Sequence, residues 1–448
     1  MKMKRGLKLL ALVGVLSLII AACGGDGGGA TTTAGDGATT EAPGTTGAPG
    51  TTGAPGTTMA PGELGTVEVA SGEPIKIASI QTISGDTASL GTDQVRAIEM
   101  AIADKGEILG HPIEYAFNED GGCAAEGGQT AATRIIADPQ VVAVIGTSCS
   151  GAGVPASNVV SGAGRVLISG SNTSPYLTSD LAGTEGPDHH PGYFRTAHND
   201  AIQGAAAANF VFNELGLTQV ASINDGDPYT EGLTGAFDAA FEALGGTVAV
   251  STAVTADQTD MRPVLTEIAA AGAELIFFPI FQPAADFIAE QALEVAGLEE
   301  SVLMGADGLL SDTFVVLPQS KGMYFSGPQS PLTPEYEEFV AAYEAEYGEP
   351  PIQAFHAHAY DATNMVFTAI ETAATDDGSG NLSIDMQALR DALHDMTHEG
   401  LTGTLDCDEF GDCAFPGIDI LQNTDETADI AAVRANVIIN YSAEDLGF

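Results

Sequence analysis

Positively charged residues are scarce in this sequence. Lysine and arginine number 14, against 61 aspartate and glutamate residues, and the formal net charge is -47. Four of these cations lie among the first eight residues, at Lys2, Lys4, Arg5 and Lys8. A chain this acidic repels polyanions, which excludes nucleic acid as a partner.

Long hydrophobic runs are also missing, apart from one near the N-terminus. The run from Leu9 to Ile20 follows the four cations and precedes Cys23. This pattern is typical of a secretory signal peptide, here residues 1–22, and it is too short to span a membrane. The letters IAAC resemble a bacterial lipobox, whose cysteine is lipidated and becomes the first mature residue. We therefore predict a membrane anchor at Cys23; ordinary cleavage, which leaves a free cysteine, is the alternative.

Apolar residues are sparse again in the segment that follows. Residues 23–72 repeat the unit TTGAPG and are rich in Thr, Gly, Ala and Pro. Such a composition cannot bury enough surface to fold. We predict a disordered tether that is dispensable for binding, with an O-modified stalk as the alternative.

Cysteine is rare as well, with five residues in the whole chain. If Cys23 is lipidated, Cys123, Cys149, Cys407 and Cys413 remain in an exported chain, where disulfides persist. Three pairings are possible, and the spacing does not choose between them. No cysteine follows Cys149 at the spacing of a C-x-x-C redox motif.

From Ile75 onward, short β-rich runs alternate with helical patterns, and the same rhythm restarts after Asp200. This alternation indicates parallel sheets covered by helices on both faces. The length exceeds one usual hydrophobic core, so we expect two α/β lobes, each a doubly wound parallel sheet. The helical segments after residue 330 could complete the first lobe, which periodicity alone does not establish.

Small hydroxyl residues follow two successive predicted strands. The segment from Gly146 to Ser150 lacks the second glycine of a nucleophile elbow, and no ordered Ser, acid and His set is present, so we predict no enzymatic activity. If a helix begins near Gly151, Ser150 lies at its N-terminus, where a carboxylate is favoured. Ser171 and Thr173 follow the next strand. These residues could converge on one anion; a plain N-cap role for Ser150 is the alternative.

The ordered pieces SGDTASLG, CSGAGVPAS, ISGSNTSPYLT, FRTAHNDAIQG, DPYTEGL, LMGADG and AYDA resemble the substrate-binding proteins of branched-chain amino acid ABC transporters. The resemblance implies a type 1 periplasmic-binding fold with a hinge and a ligand cleft. It places residues 73–198 and 328–405 in lobe 1, and residues 199–327 and 406–448 in lobe 2.

The resemblance also implies a ligand set. Ser150 and Thr173 would hold the α-carboxylate of an amino acid, and the main-chain carbonyl of Ser171 would help to hold the ammonium. Tyr229 would close from the second lobe. Asp307 would pair with the ammonium, although well-known family members have glutamate there; a turn role for Asp307 before Gly308 is the alternative.

Two departures from the family pattern concern the side-chain pocket. Phe281 stands where a tyrosine is often found, and Leu90 replaces an aromatic residue. Together with Tyr229 they would line an apolar pocket that suits an aliphatic ligand. Asp200 would either face the cleft as a second acid or cap the helix that starts beside it.

The remaining implications concern partners and disulfides. The family pattern pairs Cys123 with Cys149, which leaves Cys407 for Cys413. We expect a monomeric, lipid-anchored protein in the periplasm or on the outer face of the membrane, which delivers an amino acid or related small molecule to an ABC permease. No cofactor and no metal are expected. The alternatives are a sensory module of the same fold and the binding of an amide or urea-type solute.

Overall fold

The computed structural model describes residues 64–414, 417–427 and 429–448. The predicted signal peptide, Cys23 and residues 24–63 of the predicted tether lie outside this range. No helix in the described part of the chain is both long enough and apolar enough to cross a membrane.

Strands and helices alternate over most of the described chain. The strands are β1 (Thr66–Val69), β2 (Ile75–Gln81), β3 (Glu107–Ile108), β4 (His111–Asp120), β5 (Val141–Gly146), β6 (Val166–Ser169), β7 (Tyr193–Arg195), β8 (Gln219–Asn224), β9 (Thr247–Ala253), β10 (Leu275–Phe277), β11 (Val302–Gly305), β12 (Tyr324–Pro328), β13 (Ala374–Asp376), β14 (Leu382–Asp385), β15 (Thr397–Gly400), β16 (Gly403–Asp406), β17 (Ile418–Gln422) and β18 (Val437–Tyr441). The α-helices are α1 (Ala88–Lys105), α2 (Ala125–Ile136), α3 (Ser150–Gly162), α4 (Asp200–Asn209), α5 (Pro228–Ala243), α6 (Arg262–Ala271), α7 (Ala284–Ala292), α8 (Pro334–Tyr347), α9 (His356–Ala373), α10 (Met386–Asp395), α11 (Ile430–Ala435) and α12 (Ala443–Leu446).

The first lobe is built on a six-stranded sheet of order β3-β4-β2-β5-β6-β7. All neighbours in it are parallel except β3 and β4. The β5 strand, VVAVIG, is buried at every position, as expected for a strand covered on both faces. Helices α8 and α9 return to this lobe, because Phe339, Tyr343 and Met365 pack in its core beside Ile77 and Ile145. The question left open by periodicity is thereby answered.

The second lobe is built on a seven-stranded sheet of order β18-β17-β12-β11-β10-β8-β9. Strands β8 to β12 are parallel, whereas β17 and β18 add an antiparallel edge. The fold is thus the predicted pair of α/β lobes, with mixed rather than purely parallel sheets. Antiparallel edge strands are common in large α/β sheets.

Three predicted boundaries need correction. The tether was expected to run to residue 72, but β1 pairs with β14, and Val67 and Val69 are buried in the first lobe. The β12 strand carries the second lobe's sheet to Pro328, so the chain returns to the first lobe after that residue. Cys407 and Cys413 pack in the core of the first lobe, so the last segment of the second lobe begins near β17.

Candidate functional site

A cleft between the two lobes brings together seven of the eight predicted ligand-binding residues. The space between its walls amounts to about 530 Å³, open solvent included. These seven line it: Leu90, Ser150, Ser171, Thr173, Tyr229, Phe281 and Asp307. No lysine or arginine is among the residues that line this cleft in the described chain.

Ser150 is the first residue of α3, and Cys149 occupies the N-cap position without a side-chain cap. The plain N-cap role for Ser150 is therefore wrong. Its hydroxyl oxygen accepts a hydrogen bond from the backbone N–H of Ser174, at 3.3 Å. Because that bond leaves the hydroxyl proton unused, Ser150 can still donate to a carboxylate. The helix dipole favours an anion at the same point.

Ser171 and Thr173 lie on the loop that follows β6. The hydroxyl of Ser171 donates to the carbonyl of Ser148 at 2.8 Å and accepts from Nε2 of Gln94 at 2.9 Å. That hydroxyl is thus committed within the protein, which agrees with a role for Ser171 through its main chain. Thr173 is buried, and its carbonyl accepts from the backbone N–H of Asp200 at 2.9 Å.

A buried guanidinium fixes this loop from behind. Arg195 donates to the carbonyl oxygens of Asn172, at 3.2 Å, and Ser174, at 2.8 Å. It also forms an ion pair with Asp412, and both side chains are almost fully buried. The loop that carries Ser171 and Thr173 is therefore anchored to a charge that points away from the cleft.

Both expected disulfides, Cys123–Cys149 and Cys407–Cys413, are present. Each one supports the first-lobe side of the cleft. Cys149 immediately precedes Ser150 at the start of α3, and Cys413 immediately follows Asp412. The segments next to Ser150 and Asp412 are thus each held by a disulfide bond.

Asp307 faces the cleft from the second lobe, just after β11. It begins a short 3-10 turn, so the turn expectation is correct for its backbone, while its side chain lines the cleft. Tyr229 donates its hydroxyl to Oδ1 of Asp307 at 3.0 Å, and Gln203 donates Nε2 to the same atom at 2.8 Å. Burial raises the pKa of this carboxyl. A cationic ligand group would act in the opposite direction and favour the ionised form.

Aromatic and aliphatic side chains line the rest of the cleft. The rings of Tyr229 and Phe281 lie with their centroids 5.3 Å apart. Leu90, Phe355 and Cys149 from the first lobe form a cluster against which Phe281 packs. The wall beside the polar groups is therefore apolar, as an aliphatic side chain requires.

Asp200 has neither of its two predicted roles. Asn199 caps α4 by accepting from the backbone N–H of Ala201 at 2.9 Å, and Asp200 is absent from the cleft wall. Its carboxyl is fully buried, and neither oxygen meets hydrogen-bond criteria with any partner in the described chain. Burial first, and then the charge of Asp307, raise its pKa well above the usual range, whereas Arg195 and the hydroxyl of Thr173 act in the opposite direction.

Several cleft residues were not predicted. Three of them, Asp86, Thr87 and Ser89, follow β2, so the rule that pointed to the ends of β5 and β6 would also have found them. Gln353 and Phe355 come from the returning segment before α9, and no local pattern marks them. Gln203 supports the site from behind, one turn into α4.

Fold and cleft together define a class: a two-lobed α/β protein that holds a small molecule between its lobes. Residues 74–410 match the model of the periplasmic binding protein family. The chain belongs to this family.

The chain is also similar to individual proteins of known name. A Leu/Ile/Val-binding protein homologue from Brucella melitensis is 29% identical over 355 residues, which cover 78% of this chain and 91% of that protein. A branched-chain amino acid transporter substrate-binding protein from Streptococcus pneumoniae, solved with isoleucine, matches with a TM-score of 0.66 and 23% identity over 83% of this chain and 99% of that chain. A solute-binding protein from R. palustris, solved with benzoate, matches with a TM-score of 0.64 and 17% identity over 82% of this chain and 96% of that chain.

Proposed function

We propose that this protein is the extracytoplasmic solute-binding component of an ABC importer and that its ligand is an amino acid with a small aliphatic side chain. The observation that carries the proposal is the arrangement of charge in the cleft. A carboxylate, Asp307, lies on one lobe, and the start of α3 at Ser150 lies on the other. A ligand with both a cation and an anion satisfies the two sides.

The apolar wall supports the choice of side chain. Leu90, Phe281 and Phe355 offer surface that an aliphatic group buries favourably, at roughly 25 cal/mol per Å². The Leu/Ile/Val-binding name of the Brucella relative agrees with such a ligand. Hinge closure of the two lobes would enclose the solute, and no chemistry on the solute is needed.

The rival ligands lack at least one of the two charges. The benzoate complex of the R. palustris neighbour is such a case, because benzoate has a carboxylate and no ammonium. Amides and urea have neither charge. For these ligands Asp307 would be a buried acid without a counter-charge, which is unfavourable.

A thermal-shift screen on the full chain tests the ligand. L-leucine, L-isoleucine and L-valine should each stabilise the protein by about 2.7 kcal/mol at 100 times the dissociation constant. The matched controls are 4-methylpentanoate, which lacks the ammonium, and 3-methylbutylamine, which lacks the carboxylate; neither should stabilise at the same concentration. Stabilisation by benzoate, urea or an amide without any effect of the amino acids would contradict the proposal.

Transport and anchoring belong to the same proposal. We infer lipidation at Cys23, because a cation-rich apolar leader precedes IAAC. Replacing Cys23 by serine should move the protein from the membrane fraction to the soluble fraction without changing ligand affinity.

The sensory alternative differs in its partner. An importer requires that the closed, loaded protein bind to ABC permease subunits, and uptake of labelled leucine into reconstituted vesicles would measure this.

A further inference from the structure

Asp307 is held from behind by a buried glutamine. Gln203, in the first turns of α4, is fully buried. Its Nε2 donates to Oδ1 of Asp307 at 2.8 Å, and to the carbonyl and hydroxyl oxygens of Ser326 at 3.1 and 3.0 Å. These three acceptors surround the amide nitrogen and thereby fix which way the amide faces.

The orientation of Gln203 also fixes a histidine. Since the amide nitrogen faces Asp307 and Ser326, the amide oxygen faces Nε2 of His198, with which it is hydrogen-bonded. His198 must therefore carry its proton on Nε2 and donate it. Its ring stacks on Phe355, with the centroids 6.2 Å apart and the planes 22° from parallel. Burial lowers the pKa of His198 to about 3, so the ring stays neutral over the physiological range.

The contacts of Gln203 with His198 and Ser326 lie where the polypeptide passes between the lobes. His198 is on the segment between β7 of the first lobe and α4 of the second. Ser326 is in β12, shortly before the chain returns to the first lobe. Gln203 thus links two crossing segments to the carboxylate that faces the cleft.

We propose that Gln203, oriented by His198, is a positioning residue that makes the site selective for a ligand with an ammonium group. Tyr229 and Gln203 both donate to Oδ1 of Asp307, which leaves Oδ2 for the ligand. Without Gln203 the carboxyl group loses a donor that favours its ionised form and one of the two contacts that set its orientation. The inference rests on the proposed function, because it requires an amino acid ligand.

Calorimetric titration with L-leucine tests the inference on the full chain. The change is Gln203→Met, which keeps the volume and removes all the hydrogen bonds of the amide. Affinity for L-leucine should fall about 10- to 100-fold, the range for a lost hydrogen bond to a charged group. In an Asp307→Asn background the same change should alter affinity less than twofold, because the group on which Gln203 acts has lost its charge.

A second buried glutamine provides the matched control. Gln291 in α7 accepts from the backbone N–H of Met261 at 2.7 Å and donates to the carbonyl of Thr259 at 2.7 Å, and it does not line the cleft. Gln291→Met should lower thermal stability yet leave leucine affinity within twofold of wild type.

Other outcomes separate the two claims. Leucine affinity unchanged in Gln203→Met, or an equal loss with and without the Asp307 charge, would overturn the positioning role while the proposed function stood. Wild-type protein that bound no amino acid would overturn both. If Gln203→Met did not fold, His198→Phe keeps the stacking on Phe355 and removes the donor to Gln203; leucine affinity equal to wild type in that variant would also overturn the inference.

Discussion

The two sides of the cleft differ in where their charged side chains lie relative to the cleft wall. On the first-lobe side, the neutral residues Ser150 and Thr173 line the cleft together with the acid Asp86, and the ion pair of Arg195 and Asp412 lies behind the loop of Thr173. On the second-lobe side, the carboxyl group of Asp307 lines the cleft, and the group behind it, Gln203, is neutral. In the proposed complex, the ligand's carboxylate would meet neutral donors, and its ammonium would meet the carboxyl group of Asp307.

The difference follows from the backbone groups and charged side chains that this chain contains. A helix N-terminus supplies about half an elementary charge from backbone groups, so an anion can be held without a cationic side chain. Acids, in contrast, are abundant in this chain, with 61 aspartate and glutamate residues. A chain with 14 lysine and arginine residues can therefore build a site for a zwitterion with a single acid in the cleft wall opposite Ser150.

The largest expected effect is on the charged side. Asp307→Asn keeps an acceptor for Tyr229 and Gln203 but strands the ligand's ammonium in a closed cleft. Affinity for leucine should fall by roughly 3 to 5 kcal/mol, or hundreds- to thousands-fold, as when a buried charge loses its partner. Calorimetry measures the change, with Asp260→Asn on the exposed surface as the control. Near-normal affinity in a folded Asp307 variant would mean that the cation is held elsewhere.

On the other side the large effect should fall on stability. Asp412→Asn leaves the guanidinium of Arg195 buried without its counter-charge, which should lower the free energy of unfolding by about 3 to 5 kcal/mol. Glu294→Gln breaks the ion pair between Glu294 and Arg262, and the side chains of both residues are about half exposed. This change should lower the free energy of unfolding by at most about 1 kcal/mol. Urea unfolding compares the two. Equal losses would show that the buried pair does not anchor the loop of Ser171 and Thr173.

A smaller loss of affinity is expected at the helix start. Ser150→Ala removes the donor to the ligand's carboxylate and should cost about 1.5 to 3 kcal/mol of binding free energy. Ser157→Ala is the matched control, because Ser157 lies in the same helix and its hydroxyl bonds to the carbonyl of Val154, away from the cleft. If both variants bound leucine as wild type does, the anion would be held without Ser150.

The site residues that could be predicted from the sequence were predictable for one geometric reason. Parallel strands end at the same edge of a sheet, so residues that directly follow β5, β6 and β11 converge. Ser150 and Thr173 were found as small hydroxyl residues after two successive strands, whereas Asp307 was predicted from the family resemblance. The same rule applied to β2 would have added Ser89.

The part that could not be predicted depends on contacts between distant segments. Arg195 and Asp412 are 217 residues apart, and Gln203 meets Asp307 across 104 residues. Phe355 enters the cleft because the chain returns to the first lobe, and that return also decides where Cys407 packs. Asp200 looked like a cap, but Asn199 takes that position, and adjacent residues with equal capping propensity cannot be told apart by pattern.

The smallest expected effect concerns a residue at which the two sides meet. Asp227 caps α5 by accepting from the backbone N–H of Tyr229 at 2.9 Å, and its Oδ2 lies against Gly151 in the first turn of α3. A Cβ atom at Gly151 would lie 2.0 Å from that oxygen, so the approach requires glycine. A second-lobe carboxylate thus approaches the helix start that we assign to the ligand's carboxylate.

Burial is the main cause that raises the pKa of Asp227 to about 7, against about 4 in an unfolded chain. Between these values the unfolded chain has lost the proton that the folded protein still holds, so stability falls as pH rises from about 4 to about 7 and changes no further above that. Asp227→Asn keeps the cap and removes the titration. The Asp227→Asn variant should therefore become more stable than wild type across this window, by about 1 kcal/mol at pH 7, because a half-buried group realises only part of its shift.

Asp377, an exposed residue whose pKa is lowered by Asn381, is the opposite control: Asp377→Asn should lose stability relative to wild type as pH rises through about 4. Urea unfolding at pH 4, 5.5, 7 and 8 measures both, and a constant difference between Asp227→Asn and wild type at all four values would show that the approach of this carboxylate to α3 costs the folded protein nothing.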